Sequence, residues 1–160
     1  MYEEKDFNFF VEHLTSNEVE DRGYAVRALR NKEKEGDERL LPLLEPLLED
    51  KSFTITGGMP ASYCEIRLLA AKAIENQRRL LGLPPRNISI VGFVYPGSYG
   101  KLSAFATKKT GIGMMERPSF ESTEAELEYL REKGALPVFT SSQYPYIDYS
   151  TLPRSEDDEY

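Results

Sequence analysis

Along residues 65–81, EIRLLAAKAIENQRRLL, the positions Ile66, Leu69, Ala70, Ala73, Ile74, Gln77 and Leu81 recur three or four apart. That spacing gathers side chains onto one stripe and predicts an amphipathic helix. The alanines in the stripe allow a neighbouring helix to approach closely. Arg67, Lys72, Glu75, Arg78 and Arg79 fall largely on the other faces. Residues 20–29, EDRGYAVRAL, repeat the pattern more weakly through Tyr24, Ala25, Ala28 and Leu29. When Arg22 is set on Arg67, Glu20 meets Glu65, Ala25 meets Ala70, Arg27 meets Lys72, Ala28 meets Ala73 and Leu29 meets Ile74. Each stretch follows another apolar one, residues 6–14 and residues 38–50. In the second of these, Leu40, Leu41, Leu43, Leu44, Leu47 and Leu48 are apolar nearly all round, which predicts a helix covered on both sides. Pro46, deeper in that helix than Pro42, predicts a kink.

The pattern changes elsewhere. Residues 51–63 carry Gly57, Gly58 and Pro60, which break a helix, so they are expected as a loop inserted between paired helices. Pro84 and Pro85 end the helical signal, and the β-branched and aromatic run at residues 87–96 predicts a strand. Residues 97–113 predict mostly loop. Residues 122–134 predict a short helix, with a capping box at Thr123 and Glu126 and a stop at Gly134. Residues 135–140 suggest one more strand, and the tyrosine-rich residues 142–160 follow neither period.

The paired helices resemble HEAT repeats, the α-solenoid family. Residues 66–74, IRLLAAKAI, are similar to the opening of that family's second helix. Residues 21–29 keep Arg22, Ala25, Ala28 and Leu29 but have Asp21 where the valine is expected. The resemblance covers residues 6–83. It implies a mainly α fold of two HEAT-like helical hairpins. Two repeats leave an apolar face open. Residues 84–154, with one short helix and one or two short strands, are therefore expected to cap that face, giving one compact domain over residues 1–154 and a disordered acidic tail at 155–160.

Composition narrows the class. Of 160 residues, 40% are hydrophobic and 29% charged, a globular balance. The net charge of −7 speaks against general nucleic-acid binding and suits a basic partner protein. The acidic N-terminus, unlike a signal peptide, the lack of long apolar runs and the single Cys64 lead us to expect a cytoplasmic protein without membrane, disulfide or metal chemistry. Charge is unevenly spread. No acidic residue lies between Glu75 and Glu116, an interval holding Arg78, Arg79, Arg86, Lys101, Lys108 and Lys109, whereas residues 116–160 carry a net −7. The two segments either neutralise each other or present a basic patch for an anion.

Candidate chemistry is sparse. His13 has no nucleophile pattern near it, and Cys64 reads as an ordinary semi-buried thiol. The glycine-rich residues 96–103 have Tyr95 and Leu102 where a phosphate loop requires a glycine and a Ser or Thr. Glu124, Glu126, Glu128 and Glu132 form a solvated helix face. The residue pattern shows no catalytic set, metal site or cofactor site. It points to a non-catalytic protein–protein interaction module, of the immunity or antitoxin type that occludes a partner, with contacts from Phe53, Ile55, Met59 and Tyr63 on the inserted loop and from Tyr144, Tyr146 and Asp148 near the C-terminus. The alternative follows from the resemblance: certain HEAT-like proteins are lyases or chaperones for bilin chromophores. That implies a small anionic ligand, for which Arg78, Arg79, Arg86, Lys101, Lys108 and Lys109 are the candidate contacts.

Overall fold

The structure, a computed structural model, describes residues 1–57, 62–95 and 120–142. The expected contacts Met59, Tyr144, Tyr146, Asp148, Lys101, Lys108 and Lys109, and the acidic tail, lie outside the described residues.

Helices α1 (Glu4–Leu14) and α2 (Val19–Asn31) come first. Phe10 and Leu14 of α1 and Ala25, Val26 and Leu29 of α2 enter the main core. Tyr24, expected on the inner stripe, is 54% exposed. It stands with Phe9 and His13, their ring centroids 6.0 and 6.2 Å from its own.

The leucine-rich segment is helical but not one helix. A 3-10 turn at Glu38–Leu40 leads into α3 (Leu41–Leu44), and a second 3-10 turn spans Glu45–Glu49. Each proline then falls in the first turn of its own piece, where its missing N–H is not needed. The expected deep kink is thereby replaced by a change of helical type. Leu40, Leu44 and Leu47 point inward while Leu41, Leu43 and Leu48 are only half-buried, so one side faces the core.

The expectation of a mainly α fold of two capped helical hairpins is corrected here. The inserted residues are a β-hairpin, β1 (Phe53–Gly57) and β2 (Ser62–Glu65), and β2 runs directly into α4 (Ile66–Leu80). With β3 (Val91–Tyr95) and β4 (Val138–Thr140) they form an antiparallel sheet in the order β1-β2-β3-β4. The molecule is therefore an α/β mix. Period-two alternation explains why. Thr54 sits opposite Cys64, Cys64 opposite Val94, and Gly92 opposite Phe139. That face meets the helices, and Cys64, Val94 and Phe139 belong to the main core with Ile66, Leu69, Ala73 and Ile74 of α4. The other face carries Phe53, Tyr63, Phe93 and Tyr95, and α5 (Thr123–Glu132) covers it with Leu127 and Leu130. Residues that pattern as a loop by their glycines thus fill a layer between two apolar surfaces.

Helix ends follow from local chemistry. Ser122, not Thr123, caps α5, its Oγ accepting from Ala125 N at 3.1 Å. Gly134 (φ 68°) and Gly82 (φ 72°) end α5 and α4 in the left-handed conformation. After α4, Gly82 N donates to Arg79 O at 3.1 Å and Leu83 N to Arg78 O at 2.8 Å, which pairs carbonyls the helix leaves open.

Candidate anion-binding cleft

Three of the positions expected to meet a partner protein, Phe53, Ile55 and Tyr63, lie among the described residues. Phe53 is buried beneath Arg131, whose guanidinium lies 4.7 Å from the ring centroid. Ile55 and Tyr63 are half-buried neighbours on the hairpin, and Tyr63 meets Tyr95 edge-on at 6.0 Å. The rings of Phe53 and Tyr63 pack in the apolar layer beneath α5.

The basic positions divide. Arg86 forms a two-pronged pair with Glu45, at 2.6 and 3.1 Å, and donates its backbone N–H to Glu75 at 3.0 Å. Those hydrogen bonds from Arg86 hold the Glu45 carboxyl below its usual range. Arg78 turns its Nε to Pro84 O at 2.8 Å. Of the described trio, only Arg79 lines the cleft at the outer face of α4.

That cleft has a volume of about 780 Å³ and lies where the end of α2, the outer face of α4, the turn after Gly82 and the residues following β4 converge. Its cations are Arg30, Lys72 and Arg79. On α4, Lys72, Asn76 and Arg79 are four and three residues apart and so share one face. Asn76 fixes the arrangement. Its Nδ2 donates to Leu29 O and to Lys32 O, both at 2.9 Å, which binds the C-terminal end of α2 to α4. Its Oδ1 accepts from Arg79 Nη2 at 2.7 Å and orients that guanidinium. Arg30 comes from the last turn of α2 and donates Nε to Asn31 Oδ1 at 3.2 Å. Its Nη1 is buried and has no acceptor among the described residues. A buried donor left in that state costs about 1–3 kcal/mol.

Lys72 is also without an ion-pair partner among the described residues. Burial pushes its ammonium below the usual lysine range, and the positive charge of Arg30 adds to the effect. Cations in the last turn of a helix complement its dipole. That accounts for Arg78, which reaches a carbonyl, but not for Lys72 in mid-helix or for Arg30 Nη1, which reaches none. The one carboxylate in the cleft, Glu75, accepts from Arg86 N. Leu83, Pro85, Ile88 and Ala71 supply an apolar wall. Ser141 holds that wall in place, donating Oγ to Ile88 O and accepting from Ile90 N, both at 3.1 Å.

Arg30, Lys72 and Asn76 were not among the expected contacts. The signal that could have found two of them is the i, i+4, i+7 set of Lys72, Asn76 and Arg79; Arg30 has none in the local sequence. Among the described residues no group of three or more His, Cys, Asp or Glu side chains could hold a metal, and no helix is long and apolar enough to cross a membrane. Comparison of the chain with family models, with curated proteins and with solved structures gives no match in any of the three.

Proposed function

We propose that this protein is a non-catalytic binding module that holds a small organic anion in the cleft between α2 and α4. The observation that carries this reading is the buried Arg30 Nη1, without an acceptor among the described residues, beside Lys72 and Arg79. An anion placed there would satisfy the donor and neutralise cations that have no ion-pair partner among the described residues. The cleft's volume suits an organic ligand. The similarity of residues 66–74 to a HEAT repeat belongs to the same proposal, since HEAT-like lyases and chaperones hold chromophores that carry carboxylates. The test is thermal unfolding with phosphate, sulfate, citrate and bilin added singly. A ligand at a hundred times its Kd stabilises the native state by about 2.7 kcal/mol, which is on the order of 5–10 °C for a chain of this size. The rise should vanish in Arg30→Met. No shift with any of these anions at 10 mM concentration would overturn the reading.

A partner-protein reading, of the immunity or antitoxin type, draws support from a different surface than the sequence suggested. Phe9 and Tyr24 are 38% and 54% exposed and cluster with His13 on α1 and α2. Grouped exposed aromatics are typical of interface anchors. A photo-crosslinker at position 24 should give one discrete adduct in native lysate that Phe9→Ser abolishes; a diffuse or unchanged adduct pattern counts against it.

A further inference from the structure

The cleft's chemistry narrows its ligand further, an inference that rests on the anion-binding reading above. Among the described residues three cations and one carboxylate face the cleft, a net of two positive charges. A singly charged ligand leaves one of them uncompensated in a partly desolvated place. The cations also come from two elements. Lys72 and Arg79 are seven residues apart on α4, about 10 Å along its axis, and Arg30 enters from α2. A planar carboxylate is matched by a single guanidinium fork, and Arg86 with Glu45 shows that pairing elsewhere in the molecule. Cations from two helices instead suit a head that presents several oxygens, as a tetrahedral phosphate does. The volume of about 780 Å³ leaves room for much more than such a head, and Leu83, Pro85 and Ile88 form an apolar wall for the remainder.

We propose that the cleft recognises a phosphate monoester on an apolar organic body, its dianionic end held by Arg30, Lys72 and Arg79 and its body seated against Leu83, Pro85 and Ile88. Asn76 acts here as a positioning residue, because it touches Arg79 and the end of α2 rather than the ligand.

The experiment is calorimetric titration of the full chain with four probes in low salt. Phenyl phosphate has both the dianion and the body. Methyl phenyl phosphate keeps the body with one charge, benzoate replaces the head with a carboxylate, and inorganic phosphate lacks the body. Phenyl phosphate should bind about tenfold or more tightly than each of the others, and Arg30→Met should weaken it by about tenfold or more. Arg79→Gln, on the exposed side of α4, should weaken it similarly and serves if Arg30→Met does not fold. Equal affinity for methyl phenyl phosphate or benzoate would overturn the dianion while leaving an anion site in place. Equal affinity for inorganic phosphate would overturn the apolar body. Binding by none of the four, together with no thermal shift from any anion, would remove the anion-binding reading itself.

Discussion

Two groups of basic side chains in this molecule have opposite fates. At the junction of β2 and α4, Glu65 is fully buried and accepts from Arg67 Nη2 at 2.8 Å, from Arg131 Nη1 at 2.9 Å and from Phe93 N at 2.6 Å. Arg131 also donates to Lys51 O at 2.6 Å. One carboxylate thus joins β2, β3, α4 and α5, and its charge is met on both sides. Gly92 makes room for it, since a Cβ there would stand 3.0 Å from Glu65 Oε1 and 2.8 Å from Leu68 Cγ. Further along α4, Arg30, Lys72 and Arg79 gather with no ion-pair partner among the described residues, and the cleft's Glu75 accepts from Arg86 N instead. The contrast separates cations that hold a fold together from cations left for something else. Burial alone does not distinguish them; a complete set of partners does.

The largest effect should come from emptying the filled site. Glu65→Gln leaves two partly buried guanidinium groups without a countercharge and should cost about 3 kcal/mol, measured by urea unfolding. Arg131→Met, which keeps Arg67 on the carboxylate but detaches α5 from β1 and β2, should cost about 2 kcal/mol in the same assay. If either variant unfolds like the parent, the junction is not the structural bond we describe.

A second filled site offers a test by pH. Asp37 accepts from Arg39 through Nε at 3.0 Å and Nη2 at 2.7 Å, and from the backbone N–H groups of Tyr2 and Arg39 at 3.0 Å. The Arg39 hydrogen bonds lead in holding its carboxyl down at about 2, against burial, which acts the other way. A carboxyl lowered on folding adds stability that is complete above its unfolded value of 3.8 and is lost as pH falls through about 2. Arg39 is 38% exposed, so solvent screening reduces the contribution to about 1 kcal/mol. Asp37→Asn should remove that much of the acid dependence between about pH 4 and pH 2 and leave the rest; an unchanged acid profile would contradict it.

The smallest effect on stability is expected at the unfilled site. Arg30→Met deletes a guanidinium that carries an unpaired buried donor, so unfolding free energy should stay within about 0.5 kcal/mol of the parent or rise. A loss as large as that of Arg131→Met would mean that Arg30 is a structural residue and the comparison fails.

Much of the helical frame was legible in the sequence, because period 3.6 is a local signal. Ile66, Leu69, Ala70, Ala73, Ile74 and Gln77 are buried on α4 as their spacing requires. The strand expected at residues 87–96 is β3, and the one at residues 135–140 is β4. The hairpin is hidden in the sequence because Gly57, Gly58 and Pro60 outweigh the alternation of Phe53 and Ile55 with Thr54 and Thr56. The alignment of Glu65 with Glu20 treats it as helical, yet it ends a strand and its carboxylate serves the sheet. The cleft was less legible still. Its expected contacts came from an acid-free interval of sequence, but charge compensation is set by folding. Arg86 finds Glu45 forty-one residues away, whereas Arg30, which has Asp21 and Glu20 nearby in sequence, has no carboxylate partner among the described residues.

The most direct test follows the guanidinium N–H signals of Arg30 and Arg131 together by NMR while phenyl phosphate is added. The account predicts that the Arg30 signals shift and sharpen as a ligand takes up its free donor, while those of Arg131, already committed to Glu65 and Lys51 O, stay where they are. Arg30 signals that remain unchanged at a phenyl phosphate concentration of 10 mM, or that move only in step with Arg131, would contradict it.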